Sequence, residues 1–261
     1  MFLEVDGAKV FVATGGQPIR DNLPTVVLIH GSGLDHSCWA LQSRWLAHHA
    51  RNVLAVDLPA HGRSGGTPLA SIAAMADWIA AVLAALGIAQ AALVGHSMGT
   101  LVALATAHRH PARVRGLGLV GAALAIPVHP ELLAAAAENS HGAIEMLTIW
   151  GTGFAAGLGG CRAPGLWISG SAEKLWDRAA PGVLSADLVA CNGFKDGAAA
   201  AASVVCPTLI VQGSQDAMTP LRAAQALAKA IAGARLTVLP GAGHMLLTER
   251  PDEVLQVLAA V

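Results

Sequence analysis

The stretch whose reading decides the fold is Ala91-Ala92-Leu93-Val94-Gly95-His96-Ser97-Met98-Gly99-Thr100. Ala91 to Val94 reads as an apolar strand, and a helix is expected from about Met98 to His108, ended before Pro111. Between them, Gly95-His96-Ser97-Met98-Gly99 fits G-x-S-x-G. On such a sharp strand-to-helix turn the serine backbone is strained and its hydroxyl stands exposed, and the small residues on either side let neighbouring chain approach. The helix that begins there aims free N–H groups and the positive end of its dipole at the spot where an oxyanion would form. Met98 N–H is the first expected donor.

Working outward, no Asp, Glu, Lys or Arg occurs from Trp78 to His108. A membrane-crossing helix is one reading of such a run. Gly87, Gln90, Gly95, His96, Ser97 and Gly99 divide it, however, into apolar pieces of roughly 5 to 10 residues, short of the ~20 a bilayer needs. Helix, buried strand, turn and helix fit better, because a parallel strand covered on both faces is apolar throughout. The flanking chain alternates in the same way. Strands are expected at Leu3 to Asp6, Lys9 to Thr14, Thr25 to His30, Val53 to Asp57 and Gly116 to Val120, the first two joined as a hairpin at Asp6-Gly7. Helices are expected at about Cys38 to His49 and Ser71 to Leu86. This is the rhythm of a mostly parallel, doubly wound α/β sheet.

The rhythm stops from about Leu124 to Ser203, where helical patches (Glu131 to Glu138, Ala143 to Trp150, Ala172 to Arg178) surround a glycine-rich stretch from Gly151 to Gly165. It resumes with a strand at Thr208 to Val211, a helix at Leu221 to Ala232, a strand at Arg235 to Leu239 and a helix at Asp252 to Ala260. The expected division is a core of residues 1–123 and 204–261 and an inserted helical cap, or lid, of residues 124–203.

Composition agrees with a folded α/β chain. Of 261 residues, 54 % are apolar and 13 % charged, which excludes disorder. A net charge of -1, without a cluster of basic residues, supplies no footprint for nucleic acid or an anionic membrane. No basic stretch followed by an apolar one opens the sequence, so no secretory signal is expected. Cys38, Cys161, Cys191 and Cys206 lie far apart without a CxxC, the pattern of reduced thiols in a cytoplasmic protein. The histidines form no H-E-x-x-H, so no metal is expected.

A serine hydroxyl needs a base, and the base needs a carboxylate to fix its tautomer. After a G-x-S-x-G turn those partners are expected in the order Ser, Asp or Glu, His. His244, in Gly241-Ala242-Gly243-His244-Met245, follows the last strand in a glycine-flanked loop and is the candidate base. Asp216, in Gly213-Ser214-Gln215-Asp216, follows the strand at Thr208 to Val211 and is the candidate carboxylate. Each of Ser97, Asp216 and His244 lies just past a strand, at the carboxyl edge where open α/β sheets place ligands. The turn His30-Gly31-Ser32-Gly33 ends another strand, and Ser32 N–H is the expected second oxyanion donor, with Gly33 N–H as the alternative. His36 and His61 are open between pocket entrance and loop surface, and Trp150, Trp167, Trp176, Met146 and Phe154 between pocket wall and lid core.

These segments together resemble the α/β-hydrolase fold superfamily: His30-Gly31-Ser32-Gly33 before Trp39, Asp57-Leu58-Pro59-Ala60-His61-Gly62-Arg63-Ser64, Gly95 to Gly99, Pro207 to Asp216, and Gly243-His244 followed by Glu249-Arg250-Pro251. Within it the chain is most similar to small esterases and lactonases of the 3-oxoadipate enol-lactonase type. That resemblance implies a helical cap after the sixth strand, no cofactor, and a small-molecule ester or lactone as substrate. The Ser97 hydroxyl is expected to attack the carbonyl and form an acyl-enzyme. Epoxide hydrolases and haloalkane dehalogenases place an aspartate where this chain has Ser97. Two alternatives stand: a carbon–carbon bond hydrolase of ring-cleavage products, and a slow-turnover ligand sensor on the same fold. Oligomeric state is left open.

Overall fold

The hairpin at Asp6-Gly7 forms as expected, because both residues adopt positive φ (50° and 75°) and so supply the two-residue turn that matches strand twist. In this computed structural model, which describes residues 1–160, 162 and 165–261, that hairpin opens an eight-stranded sheet among the described residues. The strands are β1 (Phe2–Val5), β2 (Ala8–Ala13), β3 (Thr25–Ile29), β4 (Asn52–Val56), β5 (Ala91–His96), β6 (Val114–Val120), β7 (Thr208–Gly213) and β8 (Arg235–Leu239). Their spatial order is β1-β2-β4-β3-β5-β6-β7-β8. β1 and β2 pair antiparallel, as do β2 and β4, and every later pairing is parallel.

Residues of the central strands divide between the two faces by simple alternation. Val27, Ile29, Leu54, Val56 and Leu93 pack on one side against α2 (Ile72–Ala85) and α3 (Met98–Arg109). Val26, Leu28, Val53, Ala55 and Val94 pack on the other against α1 (Ala40–His48) and α12 (Pro251–Leu258). Both faces being covered, β3, β4 and β5 are buried along their whole length, which is the physical reason for the charge-free run around Ser97. The 14-residue α2 is capped by Ser71, whose hydroxyl accepts Ala74 N–H. It ends on Gly87, where Ile88 N–H bonds the Leu83 carbonyl and Gly87 N–H the Ala84 carbonyl.

Between β6 and β7 the described residues form no strand; they form α4 (Pro130–Ala137), α5 (His141–Gly151), α6 (Phe154–Gly157), α7 (Ile168–Asp177), α8 (Val183–Gly193) and α9 (Gly197–Ala202). Sequence periodicity locates α4, α5 and α7 but misses α6, α8 and α9. The hexapeptide α9 is Gly197 plus five alanines, without contrast to mark a buried face, and it packs beside α3. After β7 come α10 (Leu221–Ala230) and, before α12, the short α11 (Leu246–Glu249). Among the described residues, no helix is long and apolar enough to cross a membrane. Cys38, Cys191 and Cys206 are free thiols, and Cys161 lies outside the described residues.

β3 is the strand where the order reverses, with β4 on one side and β5 on the other. The crevice beyond the carboxyl ends of β3 and β5 is therefore the expected ligand position.

Candidate active site

Ser97 joins β5 to α3 with φ 54° and ψ −119°, a positive φ that is costly for a residue with a Cβ. Two close approaches hold it there. A Cβ on Gly95 would overlap the Gly99 carbonyl and lie 2.6 Å from Thr100 N, and one on Gly99 would overlap the Ile29 carbonyl. Ser97 N–H donates to the Val120 carbonyl at 3.0 Å, and the Ser97 carbonyl accepts from Thr100 N–H at 2.8 Å. These contacts leave the side chain standing into a cavity of about 330 Å³.

His244 lies across the same cavity, on the loop after β8. Its Nδ1 is 2.7 Å from Asp216 Oδ2. The acceptor is a carboxylate, so Nδ1 carries the proton and Nε2 keeps its lone pair. Nε2 is buried and, among the described residues, has no hydrogen-bond partner; no bond to Ser97 Oγ is formed. Asp216 accepts in addition from Met218 N–H (2.9 Å) and Thr219 N–H (2.8 Å) on Oδ1, and from Gln212 Nε2 (2.8 Å) and Thr219 Oγ1 (2.8 Å) on Oδ2. Burial pushes the Asp216 pKa up, but the neighbouring His244 and these donors outweigh it and hold the carboxyl below its ordinary range.

The β3 turn comes close on the opposite side: a Cβ on Gly31 would lie 3.2 Å from Ser97 Cβ. Among the described residues neither Ser32 N–H nor Met98 N–H is taken by another acceptor. Gly33 N–H, the alternative donor, is instead bonded to Asp187 Oδ2 at 2.8 Å, so it is unavailable to a ligand. His30 sets the turn from beneath. Its Nδ1 donates to the Gly31 carbonyl (2.9 Å) and its Nε2 accepts Leu58 N–H (3.2 Å), the pattern of a neutral ring. Burial, with help from nearby His61, pulls the His30 pKa to about 4.

The other histidines are likewise explained by their partners. His61 is neither entrance nor loop surface: it is buried, with Nε2 2.9 Å from Asp187 Oδ2 and Nδ1 3.0 Å from the Pro59 carbonyl. Burial pushes its pKa down, yet the Asp187 carboxylate and the Pro59 carbonyl raise it overall. His36 sits 2.8 Å from Asp57 Oδ1, away from the cavity. His96 donates from Nε2 to the His244 carbonyl (3.0 Å) and is kept neutral by burial, which brings its pKa to about 3. Asp35, His36 and Asp57 bring three metal-type donors together. Their carboxylates are already engaged, Asp57 by His36 N–H and Arg63 N–H and Asp35 by Arg178 and Ser37.

Helices between β6 and β7 complete the cavity wall, with Leu132, Leu147, Trp150, Trp176 and Leu188 facing it. Trp167 and Phe154 do not; they are 72 % and 75 % exposed. Cys191 also lines the cavity, but burial lifts its pKa to about 12, so it stays a thiol rather than a competing nucleophile. Glu249 ties this region to the His244 loop, accepting Gly243 N–H (2.9 Å) and Gly153 N–H (3.2 Å), while His244 N–H donates to the Gly151 carbonyl at 2.8 Å. Sequence reasoning missed Asp187, Gln212 and Glu249. A lone carboxylate in the apolar run Ala186 to Cys191 and a glutamine ending a buried strand were the available signals.

Comparisons with known proteins follow the same lines. The chain is 30 % identical over 260 residues to a pimeloyl-[acyl-carrier protein] methyl ester esterase of Chromobacterium violaceum, covering 96 % of this chain and 97 % of that one. The corresponding esterase of Aromatoleum aromaticum is 33 % identical, with 89 % and 95 % covered. Among solved structures, the enol-lactonase from Burkholderia xenovorans superimposes with a TM-score of 0.88 at 25 % identity, covering 100 % of this chain and 98 % of that one. A profile of the alpha/beta hydrolase family matches residues 26–257, and the chain belongs to that family.

Proposed function

We propose that the protein is a serine hydrolase that cleaves a carboxylic ester or a lactone through an acyl-enzyme. The observation that carries this reading is the His244 ring: its Nδ1–H is held by Asp216, and its Nε2 lone pair is buried, without a partner among the described residues, at the cavity that Ser97 enters. Ser97 Oγ attacks the carbonyl carbon as Nε2 takes its proton, and the same nitrogen returns that proton to the leaving alkoxide. Asp216 stabilises the imidazolium formed between these steps. Ser32 N–H and Met98 N–H receive the developing oxyanion, each donor of this kind being worth about 100- to 1,000-fold in rate. Water, deprotonated by His244, then attacks the acyl-enzyme carbonyl, and Ser97 departs with the proton.

Residues 124–203 act as a cap over this site, and the mostly apolar wall they share with Leu34 and Met245 suits an apolar substrate chain. The esterase and lactonase names of the relatives support the same bond type. The test is turnover of a p-nitrophenyl butyrate and a simple γ-lactone by the wild type and by Ser97→Ala. The expected result is multiple turnover of at least one of them, reduced at least about 1,000-fold in the variant. Hydrolysis that survives the substitution overturns the assignment.

A further inference from the structure

The peptide bond between Ser32 and Gly33 belongs to the β3 turn, yet both of its polar groups are held by the helical segment. The Ser32 carbonyl accepts Trp176 Nε1–H from α7 at 3.0 Å, and Gly33 N–H donates to Asp187 Oδ2 from α8 at 2.8 Å. The preceding peptide bond is held differently, by the core: the Gly31 carbonyl accepts from His30 Nδ1 at 2.9 Å and Leu34 N–H at 3.1 Å. In a trans peptide the N–H points away from the carbonyl, so these two donors turn Ser32 N–H to the opposite side.

Gly33 has φ +66°, and glycine passes freely between such conformations, so the turn alone does not fix the orientation of the Ser32–Gly33 peptide. Released from both anchors, that peptide no longer fixes the Ser32 Cα, so the Ser32 N–H on the same residue drifts from the position where, with Met98 N–H, it would meet an oxyanion. Asp187 is a buried carboxylate with a second anchor, His61 Nε2 at 2.9 Å. His61 Nδ1 in turn faces the Pro59 carbonyl, so a doubly protonated ring satisfies both acceptors. The resulting ion pair cancels a negative charge that would otherwise oppose an oxyanion close by.

We propose that Asp187 and Trp176 are positioning residues that set the Ser32–Gly33 peptide, so that seating of the helical segment on the β3 turn completes the oxyanion hole. The proposal rests on the serine-hydrolase reading above. It makes the segment a condition for transition-state stabilisation as well as a wall for the substrate.

The test uses the full-length protein, p-nitrophenyl butyrate as substrate, and an alkyl boronic acid as probe, because its adduct with a serine is a tetrahedral anion. Asp187→Ala is expected to lower kcat about 10- to 100-fold, part of the loss of a whole donor, with KM within about threefold of wild type. Boronate affinity should fall by a similar factor. Trp176→Phe, which removes only the N–H and keeps a ring, should show the same pattern more weakly. Asp187→Asn keeps an oxygen for Gly33 N–H and should recover kcat to within about fivefold of wild type. Folded variants with unchanged kcat and boronate affinity, a loss confined to KM, or Asn no better than Ala would each overturn the proposal. Should Asp187→Ala fail to fold, Trp176→Phe and Asp187→Asn carry the decision. A wild type that neither hydrolyses the ester nor binds the boronate ends the serine-hydrolase reading and this inference with it. An active wild type, an inactive Ser97→Ala and unaltered Asp187 and Trp176 variants end the inference alone.

Discussion

Replacing Asp216 by asparagine should disable the site through a tautomer change, and the direction of that change can be worked out from the hydrogen bonds. Asp216 Oδ1 receives two backbone donors, Met218 N–H at 2.9 Å and Thr219 N–H at 2.8 Å, which cannot turn away. An asparagine must therefore place its oxygen there and its NH2 at the Oδ2 position, 2.7 Å from His244 Nδ1. That nitrogen then accepts, and the ring proton moves to Nε2, leaving no lone pair to take a proton from Ser97. In a serine protease the equivalent change costs about 10,000-fold in kcat, or about 5.5 kcal/mol of activation free energy. A similar loss is expected here at neutral pH. The new NH2 also faces Gln212 Nε2, a donor that sits 2.8 Å from Oδ2, so a stability loss of about 1 to 3 kcal/mol should accompany it. Steady-state ester hydrolysis and urea unfolding measure the two effects. A folded Asp216→Asn protein retaining more than about a tenth of wild-type kcat would refute the tautomer argument.

Gly95→Ala puts a methyl group against the Gly99 carbonyl and 2.6 Å from Thr100 N, backbone atoms that cannot rotate aside. It should destabilise the fold by at least about 3 kcal/mol in denaturant unfolding, the upper end for overpacking, and a loss below about 1 kcal/mol would contradict the packing account. The raised pKa of buried His61 predicts a pH slope. A group held higher in the folded chain than in the unfolded one stabilises the fold below its unfolded value, about 6.5, and loses that contribution as pH rises through the folded value. Wild type should therefore lose stability relative to His61→Gln on going from about pH 6 to about pH 9, and parallel profiles for the two proteins would count against the His61–Asp187 ion pair. Asp216 works in the opposite sense: its lowered pKa adds stability above about pH 4 that is lost as pH falls through the folded value, and Asp216→Ala should flatten that acid limb.

Much of the architecture was legible because it rests on short-range signals. Asp6-Gly7 names its own turn, Gly87 ends α2, and the all-buried strands β3 to β5 betray themselves by lacking charge. Ser97, Asp216 and His244 were readable as candidates because each follows a strand at one sheet edge, and the structure brings His244 and Asp216 into contact and His244 and Ser97 to one cavity. What the sequence hid depends on long-range pairing. Asp187 lies 154 residues from the Gly33 N–H it accepts and 126 from His61, and nothing local announces either partner. Trp150 and Trp176 face the cavity while Trp167 faces solvent, a distinction set by how short helices pack rather than by the residue type. The helix α9 escaped because glycine and alanine give no hydrophobic contrast to read.

The central claim is that Ser97 is an activated nucleophile, and covalent trapping addresses it most directly. Incubation of the native protein with a fluorophosphonate, followed by mass mapping, should give one adduct on the peptide carrying Gly95 to Gly99, with parallel loss of ester hydrolysis and no adduct on Ser97→Ala. Modification of a different residue, or hydrolysis that continues after Ser97 is fully labelled, would contradict the account.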